Sequence, residues 1–133
     1  MDNDENERVK REIAQARTET GRRRYREVMV SEAPPPMTPY LEHGVVDSVF
    51  GELWDRPGLS RRERRWITLA CVGAAAVDLP IEQHVYAALA SGDISRAEMQ
   101  EFVLHFAYYA GWPRASALER AYYQAIARID AEA

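Results

Sequence analysis

The stretch that decides the fold runs from Trp54 to Pro113 and reads WDRPGLSRRERRWITLACVGAAAVDLPIEQHVYAALASGDISRAEMQEFVLHFAYYAGWP. Turn-forming residues divide it: Pro-Gly at 57–58, Asp-Leu-Pro at 78–80 and Gly92. Ser60 with Glu63, and Ser95 with Glu98, have the spacing of capping boxes, which begin helices. The stretch therefore predicts three successive helices.

These three helices are expected to bury different faces. The first is almost entirely apolar from Trp66 onward, so we expect it to be the central helix. In the second, Asp78 is the expected cap and Pro80 lies in the first turn, while His84 shares an apolar stripe and should point inward. The third should end at Gly111 and be mostly buried through Met99, Phe102, Val103, Phe106, Tyr109 and Ala110.

The flanking segments extend the same helical pattern. Thr38 can cap a helix whose apolar residues recur every three or four positions, and an amphipathic helix follows Pro113. Nothing alternates as a strand, so the fold class is all-α with about six helices. Residues 1–36 are expected to form a charged arm and a proline-rich linker, and residues 37–133 a single helical domain.

Composition restricts the possible functions. The chain has 133 residues, 47% of them hydrophobic, and a net charge of -4, which predicts no nucleic-acid or anionic-membrane partner. No apolar run reaches the ~18 residues of a membrane span, and the N-terminus does not read as a signal peptide. The single cysteine, Cys71, excludes a CxxC pair and is expected to be a small core residue in a cytoplasmic protein.

Four arginines crowd the start of the first helix of this stretch, where positive charge opposes the helix dipole: Arg61, Arg62, Arg64 and Arg65. Such a cluster is tolerated when acidic partners or an anionic ligand offset it. We expect solvated surface or salt bridges between subunits for most of them, with substrate binding as the alternative.

The polar residues near the predicted core are the chemical candidates. A lone histidine such as His84 is more often a satisfied core residue than a catalyst, although imidazole suits proton transfer near neutral pH. Glu82 lies two residues earlier and therefore on a different helix face. His105 should either find a hydrogen-bond partner or line a cavity. His43 should be exposed, and three scattered histidines predict no metal site.

The order of residues in this region resembles that of the carboxymuconolactone decarboxylase family, which belongs to the alkylhydroperoxidase D-like helical superfamily. The resemblance covers about half of the chain strongly. One departure is clear: four residues before the histidine, where decarboxylases usually carry glutamate and peroxidases cysteine, this chain has Pro80. The matching positions are Gly51, Trp54, Arg56-Pro57-Gly58-Leu59, Arg61, Arg64, Ile67-Thr68, Ala70, His84, Glu98, Tyr109, Gly111 and Pro113.

The resemblance implies an alkylhydroperoxidase D-like bundle assembled as a trimer or hexamer, and a decarboxylase of the 4-carboxymuconolactone type without a cofactor or metal. Such an enzyme needs a cation for a carboxylate, a donor at the lactone carbonyl and an acid that protonates carbon. The resemblance assigns the cation to Arg64 or Arg56 and the donor to Tyr109 or His105. It makes His84 the acid, with Glu82 as a second candidate.

Two alternatives remain open at the level of sequence. One keeps the pocket but changes the reaction to proton transfer, such as isomerisation of a lactone or another enolisable compound. The other is a family member without catalysis that binds a ligand or assembles with a partner, an interpretation that Pro80 favours. A peroxidase is not expected without a CxxC motif.

Overall fold

The computed structural model describes residues 2–133, and within that range it contains helices and turns but no strand. The predicted all-α class is therefore confirmed. The helices are α1 (Asn3–Met29), a π-helix (Tyr40–Leu53), α2 (Arg61–Ala75), α3 (Asp78–Ala90), α4 (Arg96–Ala110) and α5 (Trp112–Glu132). None of these helices is both long enough and apolar enough to cross a membrane.

The chain divides into two compact units. The first contains the residues before Val28 together with Ser31–Gly58, and the second contains Val28–Val30 and Leu59–Ala133. The first unit therefore holds α1 up to Glu27 and the π-helix, and the second holds the end of α1 and α2 to α5. The domain boundary expected at residue 36 stays a prediction.

Within the first unit, α1 packs closely on the π-helix. A Cβ atom on Gly21 would lie 2.0 Å from the carbonyl oxygen of Val46, so this position has no room for a side chain. The Thr18 hydroxyl donates to Asp47 at 2.8 Å. The apolar stripe of α1 is interrupted at Gly21, but the helix continues through this position to Met29.

The segment after Thr38 is helical as predicted, but its turns are wider than those of an α-helix. The Trp54 amide donates to the carbonyl of Val49, five residues earlier, at 3.0 Å, which is the hydrogen bond of a π-helix. Pro39, and not the expected Thr38, occupies the cap position, but the Thr38 hydroxyl accepts from the Leu41 amide at 3.3 Å.

The helix boundaries of the second unit follow the predicted signals with one exception. Both capping boxes, at Ser60 and at Ser95, are present, and Gly111 ends α4 with a φ of 99°. The predicted cap of α3 was wrong. Asp78 is the first helical residue, and Val77 occupies the cap position without a side-chain hydrogen bond.

The core of the second unit forms around α3, which packs against α5 and α2. The prediction that α2 is central was wrong, because α2 buries only the face formed by Arg65, Leu69 and Gly73. Its opposite face leaves Ile67 52% exposed, and Cys71 is exposed and not a core residue. The core residues of α3 are Ile81, Val85, Tyr86, Ala88 and Leu89.

Candidate active site

His84 lies on α3 and is half-buried, with the core residue Val85 beside it in the chain. Burial lowers the pKa of His84 to about 4, and the positive charge of Arg65 contributes to this decrease. The imidazole is therefore uncharged at neutral pH, whereas the sequence suggested an ordinary pKa near neutrality. The neutral imidazole can accept a proton but has none of the imidazolium form's acidic proton to give. Its low pKa also makes it a weaker base than an ordinary imidazole.

Arg65, on α2, is the residue whose charge reaches His84. Its side chain is only 2% exposed, and its Nε donates to Asp93 Oδ2 at 2.7 Å. Its Nη2 is buried and has no hydrogen-bond partner. Burial lowers the pKa of the guanidinium, while Asp93 opposes that effect. The expectation of a solvated or intersubunit arginine is wrong for this residue.

Asp93, in the turn after α3, ties the start of α2 to the rest of the unit. Arg61 donates to both carboxylate oxygens, at 2.7 and 2.8 Å, and Arg62 donates to the Asp93 backbone carbonyl at 2.8 Å. Burial alone would raise the pKa of Asp93, but the hydrogen bonds from Arg61 and Arg65 hold it below its ordinary value. Acidic partners thus offset the arginines that oppose the helix dipole.

Glu82 has a separate neighbourhood on α3. Its Oε1 lies 3.5 Å from Nη2 of Arg120 on α5, and the two side chains are 41% and 65% exposed. The two-residue spacing from His84 places Glu82 on a different face, as the sequence indicated. The second catalytic candidate is therefore held in a partly exposed ion pair.

His105 and Tyr109 are brought together on α4. Their rings stack with centroids 5.1 Å apart at an angle of 8°, and both side chains are exposed. His105 lines a cavity of about 330 Å³ together with Trp66, Glu98, Glu101 and Phe102. Of the two alternatives for His105, a hydrogen-bond partner or a place in a cavity wall, the second is correct. The predicted burial of Tyr109 was wrong, because its side chain is 86% exposed.

The arginines that sequence favoured for substrate binding lie in different units. Arg64 is half-buried on α2 of the second unit, whereas Arg56 is exposed and belongs to the first. His43 is exposed as expected, and its Nδ1 lies 3.5 Å from Asp47. Among residues 2–133, no cluster of histidine, cysteine and carboxylate side chains could hold a metal ion.

A second cavity lies between α4 and α5 and has a volume of about 860 Å³. Its walls include Leu104, Trp112, Arg120, Tyr122 and Tyr123. His84 is not among its lining residues. This cavity and the histidine with the lowered pKa therefore lie at different places in the second unit.

Arg65 is the residue that the sequence-based assignment of the site missed, although a signal for it exists. Arg65, Leu69 and Gly73 recur every four residues, which places them on one helix face. Extending the apolar face of α2 backward from Leu69 would have reached Arg65. The four adjacent arginines obscured this register, because each was treated as part of one charged cluster.

The candidate site thus lies in the second helical unit. It contains the buried Arg65 and the half-buried His84. The model of the carboxymuconolactone decarboxylase family matches residues 39–123. The chain belongs to the carboxymuconolactone decarboxylase family.

Two curated relatives share recognisable similarity with this chain. The 4-carboxymuconolactone decarboxylase of Acinetobacter baylyi is 35% identical over 68 residues, which are 51% of this chain and 50% of the relative. The nitrosuccinic acid decarboxylase of Metarhizium robertsii is 33% identical over 79 residues, 57% of this chain and 54% of the relative. The chain spans about half the length of the curated relatives it matches.

Proposed function

We propose that this chain is a decarboxylase that acts on a carboxylated lactone or a related product of aromatic ring cleavage. Family membership and the names of both relatives support the reaction class. The observation that carries the proposal within this chain is the half-buried His84 next to a buried arginine. In this arrangement His84 can transfer a proton, and the nearby Arg65 supplies a fixed positive charge.

The proposed reaction breaks the bond between a substrate carbon and its carboxylate and releases CO2. The electron pair left on carbon is delocalised into the unsaturated lactone, so no organic cofactor is required. His84 then delivers a proton to that carbon. His105 or Tyr109 stabilises the negative charge on the lactone carbonyl, and Arg64 or Arg56 binds a carboxylate.

His84 must acquire a proton before it can deliver one. Its pKa is about 4 in the unliganded chain, because it is buried and near Arg65. A negatively charged substrate would offset the arginine charge and raise that pKa again. Proton uptake by His84 is therefore coupled to substrate binding in this proposal. Glu82 remains the second candidate for the proton transfer. We assign it a smaller contribution than His84, because its carboxylate pairs with Arg120.

A homo-oligomer is part of the proposal. The groove between α4 and α5 exposes aromatic side chains, with Trp112 and Tyr123 each 61% exposed and Leu104 47% exposed. Apolar surface of this kind is usually covered by another protein surface. We propose that a second copy of the chain covers it, as in a trimer or hexamer.

One observation favours a second function, proton transfer without loss of CO2. An imidazole that stays neutral at pH 7 is the form that abstracts a proton, as an isomerase of lactones or other enolisable compounds requires. Such an enzyme would use the same His84 and the same neighbouring arginine.

A substrate screen separates the two functions. Muconolactones and related lactones, with and without a carboxylate on the ring, are incubated with the purified chain in D2O. The proposal predicts CO2 release from a carboxylated lactone. Deuterium incorporation or isomerisation without CO2 release would establish the second function and reject the first.

A further inference from the structure

We propose that Arg65 binds a carboxylate group of the substrate through its Nη2. This inference rests on the proposed function and assigns the anion-binding role to a residue other than Arg64 or Arg56. The ligand class is a small organic carboxylate.

The unused hydrogen-bonding capacity of Arg65 is the first observation. A guanidinium has five N–H donors, and taking it out of water is costly unless those donors are satisfied. The side chain is 2% exposed, its Nε donates to Asp93, and the buried Nη2 has no partner. A carboxylate that accepts from Nη2 would recover part of the cost of burial.

The local charge balance is the second observation. Asp93 is the carboxylate that accepts from both Arg61 and Arg65, so Arg65 shares its acidic partner with a second guanidinium. Asp93 also uses both of its oxygens for arginine donors. The cluster therefore suits a further anion better than a further cation.

The position of His84 is the third observation. Arg65 lies close enough for its charge to lower the pKa of the imidazole. A carboxylate bound at Nη2 would thus lie near the group proposed to transfer the proton. Since Nη2 is closed to solvent in the unliganded chain, entry of the anion requires a neighbouring side chain to rotate.

The test uses succinate as the probe and needs no knowledge of the substrate. Succinate is titrated into the full-length chain, with succinamide as a neutral control, while NMR follows the imidazole of His84. We expect saturable binding of succinate, a rise in the pKa of His84 in the complex, and no response to succinamide. If succinate leaves the imidazole unchanged up to about 50 mM, a concentration high enough to detect weak binding, the inference is wrong.

Matched variants then assign the site. Arg65→Lys keeps the charge and can still pair with Asp93, but it cannot offer two coplanar donors, so succinate affinity should fall by roughly 10- to 100-fold. Arg61→Lys, which alters the other partner of Asp93, should change affinity by less than about threefold. Equal affinity in Arg65→Lys and the parent chain would overturn the inference.

The two proposals fail in different ways. Succinate binding that depends on Arg65, without decarboxylation of any lactone, would keep the inference and reject the proposed reaction. Decarboxylation of a lactone with a KM that is unchanged in Arg65→Lys would support the proposed reaction and reject the inference about Arg65. If Arg65→Lys does not fold, the succinate titration of the parent chain alone decides the inference.

Discussion

The Arg65–His84 region and the groove between α4 and α5 differ in almost every physical respect. The first is small, charged and buried, and it contains a histidine whose pKa is about 4. The second has a volume of about 860 Å³ and exposes aromatic side chains such as Tyr123. The α4–α5 cavity and the proposed catalytic histidine therefore do not coincide. Buried charge is the better guide to the proposed reaction, and exposed apolar area is the better guide to a partner surface.

Acidification should destabilise the Arg65–His84 region most strongly. The folded-state pKa of His84 is about 4, below the ordinary value of 6.5, so the unfolded chain binds the proton more tightly. Stability is then complete above pH 6.5 and is lost as pH falls toward 4, by up to about 3 kcal/mol. Urea unfolding at pH 7 and pH 4.5 measures this loss.

His84→Gln is the control for that experiment, because glutamine does not titrate in this range. The variant should lose markedly less stability between pH 7 and pH 4.5 than the parent chain. Asp93 does not confound the result. Its pKa is lowered from 3.8, so its contribution is lost only at still lower pH. Identical pH profiles for variant and parent would show that His84 is not perturbed in this way.

A charge placed in the groove should weaken self-association. Tyr123→Arg introduces a buried cation if a second copy covers this surface, so the free energy of association should become less favourable by about 2 kcal/mol, or roughly 30-fold in Kd. Light scattering over a dilution series measures the change. Tyr40→Arg is a matched control, since Tyr40 is 74% exposed on the π-helix. A monomeric parent chain at micromolar concentration would contradict the proposed oligomer.

Relief of backbone strain should stabilise the second unit without touching either region. Ala76 caps α2 with φ 58° and ψ 37°, a left-handed conformation that glycine adopts more easily. Ala76→Gly should therefore raise the free energy of unfolding by about 1 kcal/mol. Thermal unfolding measures the effect, and Ala75→Gly, inside the helix, should instead destabilise. A decrease in stability for Ala76→Gly would refute this account of the turn.

The smallest effect is expected at Glu82. Because its carboxylate pairs with Arg120 and lies on a different face from His84, Glu82→Gln should lower turnover by only about threefold. Arg120→Gln should have a similar effect if the pair acts through its charge. A loss of more than 100-fold in Glu82→Gln alone would place Glu82 beside His84 in the proton transfer.

Local signals in the sequence were sufficient for most of the fold. Ser60 and Ser95 begin helices through capping boxes, and Gly111 ends one, because these motifs depend on residues only a few positions apart. The central helix was misassigned for a physical reason. From Trp66 onward α2 is almost entirely apolar, but which side is covered depends on packing that distant parts of the chain determine. The exposure of Cys71 has the same origin.

The site was less predictable than the fold. The sequence identified His84 as the main candidate, but its low pKa results from burial and from Arg65, which lies nineteen positions earlier in the numbering. Arg65 was grouped with three neighbouring arginines, and only the folded structure separates this buried residue from the half-buried Arg64 and from the two that are exposed. The stacking of His105 on Tyr109 was not predicted, and Tyr109 was expected to be buried but is exposed.

Replacement of His84 by glutamine, assayed with a carboxylated lactone that the parent chain decarboxylates, tests the central claim most directly. Glutamine keeps much of the volume and hydrogen bonding of histidine but cannot transfer the proton. If His84 protonates the substrate carbon, kcat should fall roughly 100- to 10,000-fold while substrate affinity changes little. If the folded variant instead retains the turnover of the parent chain, His84 is a structural residue and the proposed mechanism is wrong.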